Sequence, residues 1–435
     1  MKKISIIGTG YVGLVSGAGL SEFGNEVTCL DIDENKILDL NKLKMPIYEP
    51  GLNSLIEKNV NKGLLRFSVE ISKSIQNSEI IFIAVGTPQN KNGSANIDNV
   101  KSVVNTIAKN LNDYKIICTK STVPIGTGKK IKKIIEKQSG STNFDYVSNP
   151  EFLREGAAID DFLHPDRIVI GHDSNKAKQA MKEVYRPLFL NETPIIFTNI
   201  ESAEMIKYAS NSFLATKISF INEIANLSEK VGVDIHHVSK AMGLDGRISS
   251  KFLHAGPGYG GSCFPKDTEA LSYIGRKNNI SLNVINATIK ANKNQKLKIF
   301  DKINLLSNKN LKNKRISILG LSFKPETDDV RESPAITIIP LLLQNGAKVN
   351  AYDPIAIENF KKVAPNINYF KSWRDCISGT DICVILTEWN EFRGIDLKEM
   401  KKLMNKPCLI DAKNIFSIEI LKNEKFTFDN VGRIL

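Results

Sequence analysis

Gly8-Thr9-Gly10-Tyr11-Val12-Gly13 stands between an apolar run, Ile4–Ile7, and a stretch of helical periodicity, Leu14–Phe23. Few short patterns restrict a fold so tightly. A strand that must turn sharply into a helix through three spaced glycines opens a βαβ unit, with the helix N-terminus at the carboxyl end of the strand. Gly8 serves the turn, Gly10 lets a pyrophosphate approach the backbone, and Gly13 lets helix and strand pack closely. The helix N-terminus then offers N–H groups and a positive dipole end to phosphates. Asp31 closes the next apolar run, Val27–Leu30, 18 residues beyond Gly13. A carboxylate there accepts from a ribose 2′-hydroxyl and repels a 2′-phosphate, so NAD is expected rather than NADP. Lys36 reads equally as a contact on the adenosine side or as a solvated helix lysine.

Beyond the turn, strand-like runs alternate with helical stretches. Ile80–Val85, Ile116–Thr119, Tyr146–Ser148 and Ile168–Ile170 continue the series, with a helix over Val100–Leu111 between two of them. Strands separated by helices predict a parallel sheet with crossovers. The pattern changes at Ser202, where apolar residues recur at helical spacing as far as Val231, and an all-α region follows. A Lys/Asn-rich linker, Ser307–Lys314, leads into a second alternating segment with strands at Ile316–Leu319, Val349–Tyr352, Cys383–Leu386 and Leu409–Ile410. The chain reads as α/β, then α, then α/β, with domains over 1–199, 200–306 and 307–435. The two α/β parts show no sequence repeat.

A length of 435 residues suits two or three domains. The net charge of +12 comes mostly from lysines spread along the chain, without an arginine cluster or nucleic-acid motif. It suits anionic nucleotide ligands, and no nucleic-acid partner is expected. Six cysteines lack CxxC or CxxH spacing, which speaks against a zinc site and against a disulfide framework, and no metal is expected. They fit a reducing cytoplasm. Met1-Lys2-Lys3 before the uncharged stretch Ile4–Ser21 mimics a secretory signal, but the glycines inside it do not suit one. No apolar run reaches transmembrane length, so no membrane partner is expected.

The chemistry centres on Gly260-Gly261-Ser262-Cys263-Phe264-Pro265-Lys266-Asp267. A cysteine in a glycine-rich turn with a lysine nearby has the surroundings of a reactive thiol, since an ammonium favours the nucleophilic thiolate. In a nucleotide-dependent dehydrogenase, such a thiol can capture an aldehyde and hold it for a second oxidation. Asn149-Pro150-Glu151-Phe152-Leu153-Arg154-Glu155-Gly156 carries two carboxylates four residues apart, which share a face if the segment is helical. Lys207 and Asn211 have the same spacing on the long helix. Either pair alone also reads as ordinary surface polarity. Val85-Gly86-Thr87-Pro88 and Lys120-Ser121-Thr122-Val123-Pro124 follow strands, where ligands of open α/β sheets bind, or where prolines simply stiffen turns.

Together, Ile6–Gly13, Lys120–Thr127, Asn149–Gly156, Lys207–Ala215, Gly258–Asp267 and Gly320–Ser333 resemble the UDP-glucose/GDP-mannose dehydrogenase family, in order and over nearly the whole chain. The resemblance implies two Rossmann-like doubly wound domains joined by a long central helix and an all-α middle region, with a homodimer through that helix. It implies a two-step NAD-dependent oxidation at C6 of a sugar nucleotide, in which Cys263 forms a thiohemiacetal and then a thioester. Lys207 and Asn211 then stand beside the reacting oxygen, and Asp267 and Thr122 order water and polar groups. Glu151 matches a carboxylate tied to thioester hydrolysis and sugar contact. Phe152, Leu153, Arg154 and Glu155 share its segment as substrate contacts, with Glu155 also near the nicotinamide.

Phe252, Leu253, His254, Ala255, Gly256, Gly260 and Lys324 match further substrate contacts, and Arg247 an arginine that reaches the partner subunit's substrate. Val12, Thr87, Lys266 and Arg331 join the fingerprint glycines as cofactor contacts. Phe264 after the cysteine and the Gly258-Tyr259-Gly260-Gly261 lead resemble the UDP-glucose branch; the GDP-mannose branch typically carries Leu after the cysteine, and the UDP-N-acetylhexosamine branch usually His before it. UDP-glucose is therefore the expected substrate. Lys413 stands where the family often has arginine, and a lysine cannot make a bidentate fork to phosphate. Lys207 reads either as a base or as a charge stabiliser. Two other readings use the same features: a one-step NAD-dependent alcohol dehydrogenase, and a nucleotide-sugar binding protein without catalysis.

Overall fold

In the computed structural model, which describes residues 1–434, the apolar runs of the first part become strands β1 (Lys3–Ile7), β2 (Glu26–Leu30), β3 (Leu65–Ser68), β4 (Ile80–Ile83), β5 (Lys115–Thr119), β6 (Phe144–Ser148), β7 (Ile168–His172) and β8 (Ile195–Thr198). They form one sheet in the order β3-β2-β1-β4-β5-β6-β7-β8. The central strands are buried on both faces, as crossover helices require. Ile4, Ile6, Cys29 and Phe82 point into one apolar layer, while Ile7, Leu30, Ile81 and Ile83 point into the other.

The expected all-parallel sheet needs one correction. β7 pairs with β6 antiparallel, Val147 opposite His172 and Ser148 opposite Gly171, and β8 then runs parallel to β7. The 19 residues between β6 and β7 hold only a short helix, Ala158–Leu163, in place of the full crossover helix that usually joins parallel neighbours. The early uncharged stretch is β1 followed by the helix Tyr11–Glu22.

The chain divides into two compact units, Met1–Ser210 and Asn211–Leu435. The second contains β9 (Arg315–Leu319), β10 (Lys348–Tyr352), β11 (Asn368–Tyr369), β12 (Ile382–Ile385), β13 (Cys408–Asp411) and β14 (Thr427–Asn430). Its sheet runs β11-β10-β9-β12-β13-β14, parallel throughout. That is the order of the first six N-terminal strands, the doubly wound arrangement that places ligands at the strands' carboxyl ends. The long helix is Ile200–Val231, and the boundary between the units falls within it. Helices Phe264–Lys277 and Asn283–Leu306 follow. Among the described residues, no helix is long and apolar enough to cross a membrane.

The turn after β1 shows why glycines stand where they do. Gly8 has φ +110°, and a Cβ there would lie 2.6 Å from the Ala84 carbonyl oxygen. A Cβ on Gly13 would lie 1.8 Å from the Gly8 carbonyl oxygen, while one on Gly10 would meet nothing within 4 Å. The fold therefore needs Gly8 and Gly13 for itself, but not Gly10. Gly13→Ala is expected to cost about 2 kcal/mol or more through forced separation of helix and turn. Gly10→Ala should cost under about 1 kcal/mol, the difference between glycine and alanine at a helix N-cap. Thermal unfolding of the two variants would show equal losses if this account of the turn were wrong.

Candidate active site

The first unit gathers its polar groups at the carboxyl ends of its strands. Asp31 Oδ2 accepts from the Thr9 amide at 3.0 Å, Thr9 Oγ1 at 2.6 Å and Lys36 Nζ at 3.0 Å. Burial pushes the Asp31 carboxyl up, but the Thr9 and Lys36 donors outweigh it and hold the group at about 2. The second strand therefore ends in a carboxylate fixed against the glycine turn, with the Lys36 ammonium upon it. Thr87 Oγ1 donates to the Thr122 carbonyl at 2.9 Å, and Ser121 Oγ to the Val85 carbonyl at 2.7 Å, so the loops after β4 and β5 are tied together. These residues fit a dinucleotide. Gly10 lacks a side chain the fold has room for, next to helix N–H groups, and Asp31 is ionised beside it. Val12 lies in the first turn of that helix.

Glu151 and Glu155 do not share a helical face: residues 149–156 form an irregular segment, and the helix begins only at Ala158. Pro150 and the Glu151 side chain explain this. Glu151 Oε2 accepts from the Leu153 amide at 2.6 Å, a local bond that replaces the helical pattern. Its other oxygen forms a buried ion pair with Lys207 Nζ at 2.9 Å. Burial pushes the Glu151 carboxyl up, but the Lys207 charge and the Leu153 amide together hold it below the usual carboxylate range. The Phe152 ring lies 3.6 Å from the Arg167 guanidinium and 5.3 Å from Lys207 Nζ. Arg154 is held by Asp161, with Nη2 to Oδ1 at 2.5 Å, and Glu155 is buried.

Lys120 and Glu204 of this unit escaped the sequence reading. Lys120 is buried and donates to Asn149 Oδ1 at 3.1 Å and to the Tyr185 hydroxyl at 3.2 Å. Its signal was its position: a lysine directly after the strand-like run Ile116–Thr119, in a segment read mainly for its threonine. Glu204, one turn before Lys207 on the long helix, accepts from the Gly126 and Gly128 amides at 2.6 and 2.8 Å. It thereby holds the start of helix Thr127–Ser139, while burial pushes its carboxyl up to about 7.

In the second unit, Cys263 is the N-cap residue of helix Phe264–Lys277, where the positive end of the helix favours an anion. Ser262 Oγ lies 3.5 Å from its Sγ. The other five cysteines are buried, and burial pushes their thiols up, to about 12 for Cys29 and about 11 for Cys408. One turn into the helix, the fully buried Asp267 accepts from Asn211 Nδ2 at 2.6 Å and from Lys266 Nζ. Lys266 thus gives its charge to Asp267.

The loop before Cys263 is clamped from several sides. Gly256 donates to Asn222 Oδ1 at 2.8 Å and accepts from Gln295 Nε2 at 2.8 Å; Asn292 exchanges bonds with Tyr259 N and O at 2.7 and 3.0 Å. A Cβ on Gly260 would lie 2.3 Å from the Glu332 carbonyl oxygen, so the glycine admits the 323–332 loop. Leu253 and Ala255 are buried and His254 is exposed, while Phe252 holds φ +66°, a costly conformation for an aromatic residue. Lys324 Nζ lies 5.6 Å from the Phe323 ring, and Arg331 pairs with Asp329 at 2.7 Å. Arg247 pairs with Asp245 and is 90% exposed. Lys413 pairs with Glu388 at 2.8 Å and lies beside Gly256. Among the described residues, no cluster of His, Cys, Asp and Glu has the makings of a metal site.

Comparison with known proteins covers both units. Residues 2–189, 201–294 and 317–418 match the NAD binding, central and UDP binding domains of the UDP-glucose/GDP-mannose dehydrogenase family. UDP-glucose 6-dehydrogenase TuaD of Bacillus subtilis is 50% identical over 435 residues, 100% of this chain and 94% of its own. The UDP-glucose 6-dehydrogenase of Rhizobium meliloti is 46% identical over 434 residues, 99% of each chain. Among solved structures, a UDP-glucose dehydrogenase from the archaeon Pyrobaculum islandicum superposes with a TM-score of 0.92 at 32% identity, over 100% of this chain and 98% of that one.

Lys120 provides a test of the electrostatics. Burial, reinforced by the Lys207 charge and opposed by Glu151, pushes its ammonium down from 10.5 to about 8. Between those values the folded chain has released a proton that the unfolded chain keeps, so stability rises with pH there and is lost as pH falls through about 8. Lys120→Met should abolish this slope, worth up to about 3 kcal/mol. Denaturant unfolding at about pH 7, 9 and 10 measures it; parallel stability curves for variant and parent would refute it.

Proposed function

The chain belongs to the UDP-glucose/GDP-mannose dehydrogenase family, and we propose that it oxidises UDP-glucose at C6 to UDP-glucuronate in two steps, with Cys263 as covalent nucleophile. It is an NAD-dependent oxidoreductase. Bound NAD supplies the hydride acceptor for each oxidation. The C6 alcohol loses a hydride and a proton to become an aldehyde, and the Cys263 thiolate adds to its carbon while the oxygen takes up a proton, giving a thiohemiacetal. Loss of a second hydride, to NAD, and of the hydroxyl proton leaves a thioester. Water adds to it, the C–S bond breaks, and the carboxylate leaves as the thiol is restored.

The observation that carries this reading is the setting of Cys263. Of the six cysteines it alone is not buried, it stands at a helix N-terminus, and one turn on lies a buried Asp267 that holds Asn211. Asp267 fixes the Asn211 amide so that it can donate to an oxyanion. The ion pair with Glu151 supports Lys207 as a cation that stabilises developing charge, over a neutral base. By analogy with oxyanion-hole donors, each contributes on the order of 3 kcal/mol to the transition state. Phe264 and the glycines before Cys263 favour UDP-glucose among the family's substrates. Five buried thiols suit a reducing cytoplasm.

The same reading includes a homodimer through the long helix. Phe213, Phe220 and Leu227 are 65%, 45% and 57% exposed and recur at heptad spacing on one stripe. Leu244 and the exposed Arg247 add to the surface that a partner would cover.

NADH formed per UDP-glucose consumed should approach two, with UDP-N-acetylglucosamine and GDP-mannose turned over far more slowly. A ratio of one, or faster turnover of another sugar nucleotide, would overturn the proposal. Cys263→Ser should lower the rate of glucuronate formation by at least about 10³-fold; an unimpaired variant removes the thioester route. Phe213→Glu with Phe220→Glu should shift the species seen by analytical ultracentrifugation from dimer to monomer, and an unshifted dimer would place the interface elsewhere.

A further inference from the structure

Glu49 has no part in the chemistry above, yet it is a buried carboxylate with three donors from two different segments. Its Oε2 accepts from the Tyr11 hydroxyl and from the Gly156 amide at 2.6 Å, and its Oε1 accepts from the Ala158 amide at 2.7 Å. Tyr11 is the residue after Gly10, in the first turn of the helix that opens on the glycine motif. Gly156, with φ +80°, ends the Glu151–Gly156 segment. The Tyr11 hydroxyl also reaches to within 3.5 Å of the Arg154 carbonyl. One carboxylate therefore joins the turn that receives the dinucleotide to the segment that carries Glu151 and Glu155.

We propose that Glu49, with Tyr11, is a positioning residue that couples occupancy of the dinucleotide turn to the placement of the Glu151–Gly156 segment. This rests on the reading of that segment as a substrate contact. A buried carboxylate is costly unless charge-assisted hydrogen bonds replace its water, and here every such bond crosses between segments. Displacement of either segment breaks bonds to the other, so the cost is felt at both. Burial, with the Glu49 charge second, pushes the Tyr11 phenol far above its ordinary range, so it remains a donor at working pH. Arg154, held to Asp161 by its amide at 2.8 Å and by its guanidinium, stiffens the far side, so that movement at Gly156 is passed on rather than absorbed. By linkage the effect is reciprocal: whatever the dinucleotide does for the sugar nucleotide, the sugar nucleotide does for the dinucleotide.

The test is a titration of NADH, followed by its fluorescence, with and without saturating UDP-glucose, in the unaltered enzyme, Glu49→Gln and Tyr11→Phe. In the unaltered enzyme UDP-glucose should change NADH affinity by about fivefold or more. In each variant that factor should fall below about twofold, with NADH affinity alone within about threefold of the parent, and the double variant should lose no more than either single. A merely structural role would lower both affinities and leave the factor standing. No coupling in the unaltered enzyme, or coupling that survives in both variants, overturns this proposal alone. If the enzyme turns over a different sugar nucleotide, that one replaces UDP-glucose in the titration. Binding of NADH but of no sugar nucleotide would overturn the functional reading and this proposal with it.

Discussion

The ion pair between Glu151 and Lys207 is closed off from water, and much of the first unit is arranged to make that tolerable. Two charges taken out of water lose several kcal/mol of hydration each, which mutual attraction offsets only when the remaining lone pairs are also met. Glu151 meets its second oxygen with the Leu153 amide, and this keeps residues 149–156 from becoming helical. Lys207 is anchored to the same helix whose Glu204 holds the start of helix Thr127–Ser139. Lys120, within electrostatic reach of the pair, donates to two neutral acceptors, Asn149 Oδ1 and the Tyr185 hydroxyl, so its charge remains sensitive to its surroundings. The segment that bears the carboxylates, the loop that bears Thr122 and the helix that bears Lys207 thus share one electrostatic framework.

The two sheets repeat one strand order, and the same turn follows the first strand of each. Gly8 and Gly320 both have positive φ and both donate to the carbonyl that ends the neighbouring strand, at 2.7 and 2.9 Å. An aspartate follows that strand in each case, but the two differ in what surrounds them. Asp31 keeps part of its surface in solvent and takes its donors from Thr9 and Lys36 beside the glycine turn. Asp353 is fully buried, and its Oδ2 alone takes the Leu321 and Ser322 amides, Ser322 Oγ and Trp389 Nε1. One copy of the architecture leaves its carboxylate available to a ligand. The other has spent it on the fold.

Much of this was legible in the chain. The glycine turn, the apolar runs of the central strands and the long helix are local patterns, and local patterns survive folding. β3, β8, β11 and β14 were not found, because edge strands are short and only half-buried; β11 has two residues. The reversal at β7 was invisible for another reason: an apolar run does not encode its direction. Within the site, Cys263 and the Lys207–Asn211 spacing could be read because their chemistry is carried by neighbours in sequence. Glu49, Lys120 and Glu204 could not, since their partners lie 29 to 109 positions away. The shared architecture of the two α/β parts was implied by the resemblance and not by any repeat in sequence, because the second unit keeps the backbone turn without the glycine motif.

The distribution of sulfur has a consequence for anyone wishing to reach this protein chemically. Five thiols are sealed in apolar layers with their ionisation suppressed, and the sixth sits where solvent enters and a helix begins. Alkylating agents discriminate among thiols by access and by thiolate content. The folded chain is therefore close to a single-handled object: an electrophile would attach at one atom, and an isotopic or fluorescent tag could be placed there without engineering any residue away.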